Sequence, residues 1–244
     1  MLALRSVTFN VLFYVNLILH IIAAMPTFVM PRRAFMAVAK SWGHTSNALL
    51  AVAGIRIAMR GLEKIPPGAL LVGAKHQSVW ETFALLTLFA DPTFIVKREL
   101  MWLPFFGWCM WKAGIIPVDR GARSVALAAM TKLAKVELDR GRQLIIFPEG
   151  TRRAPGAEPA YKYGVAHLYV ETGAPCLPIA LNSGLVWPRR SFMRYPGTVR
   201  VEMLDVIEPG IPRQAFFERL QSEIEAATAR LIGEREREPE RQTG

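Results

Sequence analysis

From Val7 to Met30 the chain runs for 24 residues without an Asp, Glu, Lys or Arg. As a helix that run extends roughly 36 Å, enough to cross a bilayer or enter it deeply. Asn10, Asn16, His20 and Pro26 make it less lipid-like than a dedicated single span. A second, amphipathic stretch from Ala34 to Met59 follows Arg32 and Arg33. Residues 1–60 therefore read as a membrane-anchoring helical hairpin or an interfacial pair of helices. A plain span followed by a linker is a competing reading, and so is a cleaved signal peptide. The latter is opposed by an apolar run longer than the usual core of about 7–15 residues and by the lack of a small-x-small cleavage site. Arg32, Arg33 and Lys40 just after the run predict an inner (cytoplasmic) membrane location with the C-terminal body facing the cytoplasm.

Past Gly61 the pattern changes. Ala69–Lys75, Thr93–Lys97, Gly114–Asp119, Gln143–Phe147, Cys176–Leu181 and Thr198–Leu204 are short apolar or alternating runs with strand character. Trp80–Phe89, Leu100–Trp111, Arg123–Arg140, Tyr161–Glu171 and Arg213–Ile232 read as helices between and after them. This alternation predicts an α/β domain over residues 61–232, with a mixed, largely parallel sheet flanked by helices. Residues 233–244 form a charged tail expected to be disordered.

The formal net charge is +10 and apolar residues make up 52% of the chain. A basic excess calls for an anionic partner, and the apolar bias favours a membrane surface or a phosphorylated lipid over nucleic acid. Nucleic acid is further opposed by the lack of any recognition motif for it. Cys109 and Cys176 have neither metal-ligand spacing nor the number needed for a disulfide framework.

His76 and Glu81 stand five positions apart where a buried strand gives way to a helix. Inside one helix they would lie about 140° apart, so the pair can meet only if His76 sits in the loop and Glu81 in the first turns. A carboxylate holding one imidazole nitrogen leaves the other as a base. A second stretch, Phe147-Pro148-Glu149-Gly150-Thr151-Arg152-Arg153, runs from a strand into a glycine turn and two arginines, a combination suited to a phosphate. Lys97 and Arg120 each follow an apolar strand and could project at the same sheet edge as His76. Taken singly, each of these features also fits a solvated strand end.

In order, H-x4-acid, K-x-E-L with G-x-I-P-V-x-R, F-P-E-G-T-R and Leu177-Pro178-Ile179-Ala180 resemble the glycerolipid acyltransferases, specifically the 1-acyl-glycerol-3-phosphate (lysophosphatidate) acyltransferase family. The resemblance covers roughly Ala69 to Leu181, with F-P-E-G-T-R its most specific part. One departure is Glu81, where the family usually has Asp.

The resemblance implies transfer of a fatty acyl group from an acyl thioester, acyl-CoA or acyl-carrier protein, to the sn-2 hydroxyl of 1-acyl-glycerol-3-phosphate, giving phosphatidic acid. It implies His76 as base, oriented by Glu81. Lys97, Arg120, Glu149, Gly150, Thr151 and Arg152 would bind the phosphate and glycerol, with Arg153 a further candidate. Neither a metal nor a cofactor beyond the acyl donor is expected. Ser78 reads as a helix cap rather than a nucleophile. Trp102–Trp111 reads as core rather than acyl path. The competing functions are the same chemistry on another lysolipid, such as a lyso-ornithine lipid or in lysophospholipid remodelling, and a catalytically silent binder of anionic lipid.

Overall fold

The computed structural model describes residues 1–119 and 123–237. The apolar runs become β2 (Leu70–Ala74), β3 (Pro92–Lys97), β4 (Ile116–Val118), β5 (Gln143–Ile146), β6 (Cys176–Leu181) and β7 (Gly197–Met203), and a further strand, β1, is formed by Ile55–Arg60. They make one seven-stranded sheet of order β1-β7-β6-β2-β5-β3-β4. Every neighbouring pair is parallel except β6 with β7.

β1 corrects the reading of Ala34–Met59 as one helical stretch. The helix α2 (Arg32–Leu49) passes through a short 3-10 turn and ends at Gly54, whose φ of 72° turns the chain. Ile55-Arg56-Ile57-Ala58-Met59-Arg60 then alternates with period two and pairs with β7, from Ile55 opposite Gly197 to Arg60 opposite Glu202. The sheet thus takes its edge strand from within residues 1–60.

Alternation along the central strands sorts two apolar faces. Leu70, Val72 and Ala74 of β2, Ile145 of β5 and Leu177, Ile179 and Leu181 of β6 point to one core. They meet α3 (Trp80–Leu88) and α1 (Leu2–Ala24), through Trp80, Phe83, Phe9 and Phe13. Leu71, Leu144, Ile146 and Cys176 point the other way, into a second core with α5 (Arg123–Asp139), α6 (Gly164–Thr172) and α7 (Arg213–Glu236). The charged C-terminal stretch is therefore helical as far as Glu236, and residues 238–244 lie outside the described residues.

The expected helix Leu100–Trp111 is broken. A 3-10 turn spans Arg98–Trp102, the chain breaks at Leu103-Pro104-Phe105, and α4 occupies Phe106–Ala113. Pro104 carries no N–H and Phe105 adopts φ 60°, so neither continues a helix. The tryptophans of this segment are not core: Trp102, Trp108 and Trp111 are all exposed.

One stripe of α1 packs on the protein along the helix. Ser6, Phe9, Asn10, Phe13 and Ala24 are buried, and Asn16 donates to Ser46 Oγ at 3.0 Å. Val7, Val11, Val15, Ile18, Leu19 and Ile22 on the remaining surface are exposed.

Candidate active site

Because β2, β3 and β5 run parallel side by side, and β6 runs parallel to them beyond β2, the segments that follow these strands emerge at one edge of the sheet. Ala74 ends β2, and His76 stands in the loop before α3, with Glu81 in that helix's first turn. His76 Nδ1 lies 3.9 Å from Glu81 Oε2, which is ion-pair range and longer than a hydrogen bond. Catalytic hydrogen bonds commonly tighten only when substrate binds. The imidazole lies flat on Phe147, with ring centroids 3.9 Å apart and 16° between planes. The N–H of Arg153 donates to the His76 carbonyl at 2.8 Å, tying the loop after β5 to the loop after β2.

Glu81 is fully buried. Its Oε1 accepts from the N–H of Gln77 and of Ser78, both at 2.9 Å, and from Ser183 Oγ at 2.5 Å. Oε2 takes a second contact from Ser78 N–H at 3.0 Å. Burial pushes the Glu81 carboxyl up to about 7, and the hydrogen bonds from Ser183, Gln77 and Ser78 oppose that rise. The longer glutamate thus has a built socket, made from its own helix start and the turn after β6. Ser78 Oγ accepts from the Trp80 N–H at 3.2 Å, one position ahead of the N-cap residue Val79, which makes no side-chain cap bond.

A cavity of about 1100 Å³ opens beside His76. Its polar end is bordered by Lys97, Gly150, Thr151 and Arg152, and its apolar length runs past Leu86, Phe94 and Val96 to side chains of α1, α2 and α4. That is at the upper end of the roughly 300–1,000 Å³ of ordinary small-ligand pockets. Burial lowers the Arg152 pKa while the negative charge of Glu81 raises it. Gly150 has φ 66° and its N–H bonds back to the Phe147 carbonyl at 2.8 Å, the turn that brings Thr151 and Arg152 to the cavity.

One expected site residue points elsewhere. Glu149 does not border the cavity. It is buried, and its Oε1 meets Lys75 Nζ at 3.0 Å; Lys75 also reaches Glu225 of α7 at 2.5 Å. The Tyr161 hydroxyl donates to the same Glu225 oxygen at 2.9 Å. Glu149 thus partners the buried lysine one position before His76 and ties the loop after β5 to the end of β2. Arg120 lies outside the described residues.

Two participants carry no motif of their own in the sequence. Ser183 follows the apolar strand Leu177–Leu181, and only its position at the same sheet edge as His76 marks it. Lys75 is distinguished by a charge closing a fully buried run, a residue type that is almost never buried without a partner.

The acyltransferase family profile matches residues 56–182. A 1-acyl-sn-glycerol-3-phosphate acyltransferase of Pseudomonas aeruginosa is 36% identical over 84% of this chain and 79% of its own length. The 1-acyl-sn-glycerol-3-phosphate acyltransferase alpha of Mus musculus is 33% identical over 62% of this chain and 54% of its own. In fold, the crystal structure of the 1-acyl-sn-glycerophosphate acyltransferase PlsC from Thermotoga maritima superposes with a TM-score of 0.79 at 22% identity, covering 95% of this chain and 98% of that one. Matched over half its length by the family profile and over most of it by the Pseudomonas enzyme, the chain belongs to the 1-acyl-sn-glycerol-3-phosphate acyltransferase family.

Proposed function

We propose that this protein transfers a fatty acyl group from an acyl thioester, acyl-CoA or acyl-carrier protein, to the sn-2 hydroxyl of 1-acyl-glycerol-3-phosphate, producing phosphatidic acid for phospholipid synthesis. The observation that carries the proposal is His76, backed by a buried carboxylate, at the head of a long apolar cavity whose polar end holds Arg152 and Lys97. His76 takes the proton of the acceptor hydroxyl as that oxygen attacks the thioester carbonyl. Glu81 stabilises the imidazolium that forms. Collapse of the tetrahedral adduct breaks the carbon–sulfur bond, and the proton on His76 passes to the departing thiolate. Arg152 and Lys97 hold the acceptor's phosphate, with Gly150 and Thr151 alongside the glycerol.

Both acceptor and product are amphiphiles, so an active site held at headgroup depth receives them without extraction into water. The apolar run of α1 supports a place on the membrane, and Arg32, Arg33 and Lys40 just after it support the cytoplasmic side, with the catalytic face toward the cytoplasm. Because α1 packs one stripe on the domain and leaves another apolar face outward, we read it as lying in the membrane plane rather than crossing it.

The test presents the protein with an acyl thioester and a panel of lysolipids, comparing wild type with Arg152→Ala. Lysophosphatidate should be the preferred acceptor. Arg152→Ala should raise its KM about tenfold or more, the loss of one charge-assisted contact, with a smaller effect on acceptors lacking a terminal phosphate. An unchanged KM for lysophosphatidate would remove Arg152 from the phosphate site.

A further inference from the structure

Between β3 and β4 the chain places three of its six tryptophans in solvent. Trp102, Trp108 and Trp111 are 70%, 59% and 71% exposed, and Leu103 and Phe105 are near half. Scattered exposed apolar residues are ordinary, but this many within ten positions mark an interaction surface.

The backbone here is held for that display. Phe105 sits at φ 60°, ψ −49°, and the Phe106 N–H bonds to the Pro104 carbonyl at 2.6 Å, a γ-turn that is rare for a residue with a Cβ. A Cβ at Gly107 would stand 2.0 Å from the Met101 carbonyl oxygen, so only glycine lets the segment fold back so closely. Trp108 packs edge-on against the Phe105 ring with centroids 5.2 Å apart, and Trp111 lies one turn further along α4.

The surface is continuous with α1. Ile21, Met25 and Phe28 border the same depression as Phe105 and Trp108. Lys112 of α4 ties that helix to the 3-10 turn after α1 by donating to the carbonyls of Phe28 at 2.8 Å and Met30 at 2.7 Å. Lys97 and Arg98, both exposed, precede the segment and add positive charge toward anionic headgroups, Arg98 while also paired with Asp119 at 3.4 Å. Tryptophan, with an apolar body and a polar N–H, suits the boundary between headgroups and acyl chains. Phe106, Cys109 and Met110 of the same segment border the large cavity.

We propose that Trp102–Trp111 is a second membrane-insertion element, seated in the bilayer interface beside α1, so that lipid enters the cavity between the two. The inference rests on the membrane reading above and adds to it where the protein is held and where its substrate loads.

The full-length protein is mixed with vesicles of anionic phospholipid carrying brominated acyl chains, and flotation and tryptophan fluorescence are both recorded. Wild type should float and be quenched. The combined variant Trp102→Phe, Trp108→Phe, Trp111→Phe should float and lose most of the quenched fraction, because of the three tryptophans left Trp80 and Trp187 are buried in the protein core and Trp42 is half-buried. Replacing the same three residues with Ser should weaken partitioning on the order of tenfold or more while leaving turnover of a monomeric short-chain lysolipid within about twofold, since none of the three borders the large cavity. A wild-type protein that floats without quenching, or equal quenching in wild type and the Phe variant, would overturn the second element and leave the anchor by α1 standing. Protection of the three tryptophans in a lipid-free dimer would overturn it in favour of a second copy. Failure to float at all would overturn the membrane reading and this inference with it.

Discussion

Replacing Ser183 with alanine should move the acid limb of the pH–rate profile while leaving the alkaline plateau nearly intact. Ser183 Oγ lies 2.5 Å from Glu81 Oε1, within the range of a charge-assisted O–H···O⁻ bond. Such a bond to a buried carboxylate is worth about 1.5–3 kcal/mol, and 1.36 kcal/mol corresponds to one pKa unit. The backbone N–H groups of Gln77 and Ser78 stay in place, so the socket keeps its shape. Loss of the hydroxyl should therefore raise Glu81 from about 7 by roughly one to two units. At pH 7.5 the ionised fraction would drop from roughly three-quarters to between about a quarter and a few per cent, lowering kcat/KM about three- to twenty-five-fold. Glu81 faces His76 and Arg152 as well as Ser183, so the limb reports the pair of base and carboxylate rather than one group. The assay is kcat/KM from pH 6 to 10 on a monomeric acceptor, for wild type, Ser183→Ala and Ser183→Thr, the last restoring the hydroxyl. A Ser183→Ala profile that keeps its acid limb and falls uniformly at every pH would show that Ser183 does not set the ionisation of Glu81.

Two further outcomes follow from the buried charges. Glu81 stands at about 7 against an ordinary 4.5, so its contribution to stability is full below about 4.5 and is lost as pH rises through about 7. Melting curves of wild type against Glu81→Gln should diverge across that window by about 3 kcal/mol, with wild type losing ground as pH rises; parallel curves would contradict the burial argument. Lys75→Met should leave Glu149 buried without its cation and cost about 3–5 kcal/mol. Much of that loss should return in Lys75→Met/Glu149→Gln, and a single variant as stable as wild type would show that the network carries no weight.

Much of the fold was legible because strands and helices impose different periods. The alternation after Gly61 carried the mixed sheet, and the residues that follow its parallel strands gathered His76, Lys97 and Arg152 at one edge. What escaped depended on partners far along the chain. Ile55–Arg60 continues an amphipathic stretch and becomes a strand only by pairing with Gly197–Met203. Glu149 sits inside the most specific motif, yet its direction is set by Lys75 and by Glu225 on the last helix. Ser183 is an ordinary serine until the turn after β6 brings it to Glu81, 102 residues earlier. The tryptophans read as core because hydrophobicity reports a wish to leave water and not the medium that receives it.

In the proposed reaction His76 is the base of an acyl transfer onto lysophosphatidate. The most direct measurement is phosphatidic acid formed per enzyme per second by purified protein from 1-acyl-glycerol-3-phosphate and an acyl thioester, for wild type and His76→Ala at matched folding. Loss of a general base predicts a fall of about 10²–10⁴-fold. A His76→Ala protein that forms phosphatidic acid within about tenfold of the wild-type rate would contradict the account.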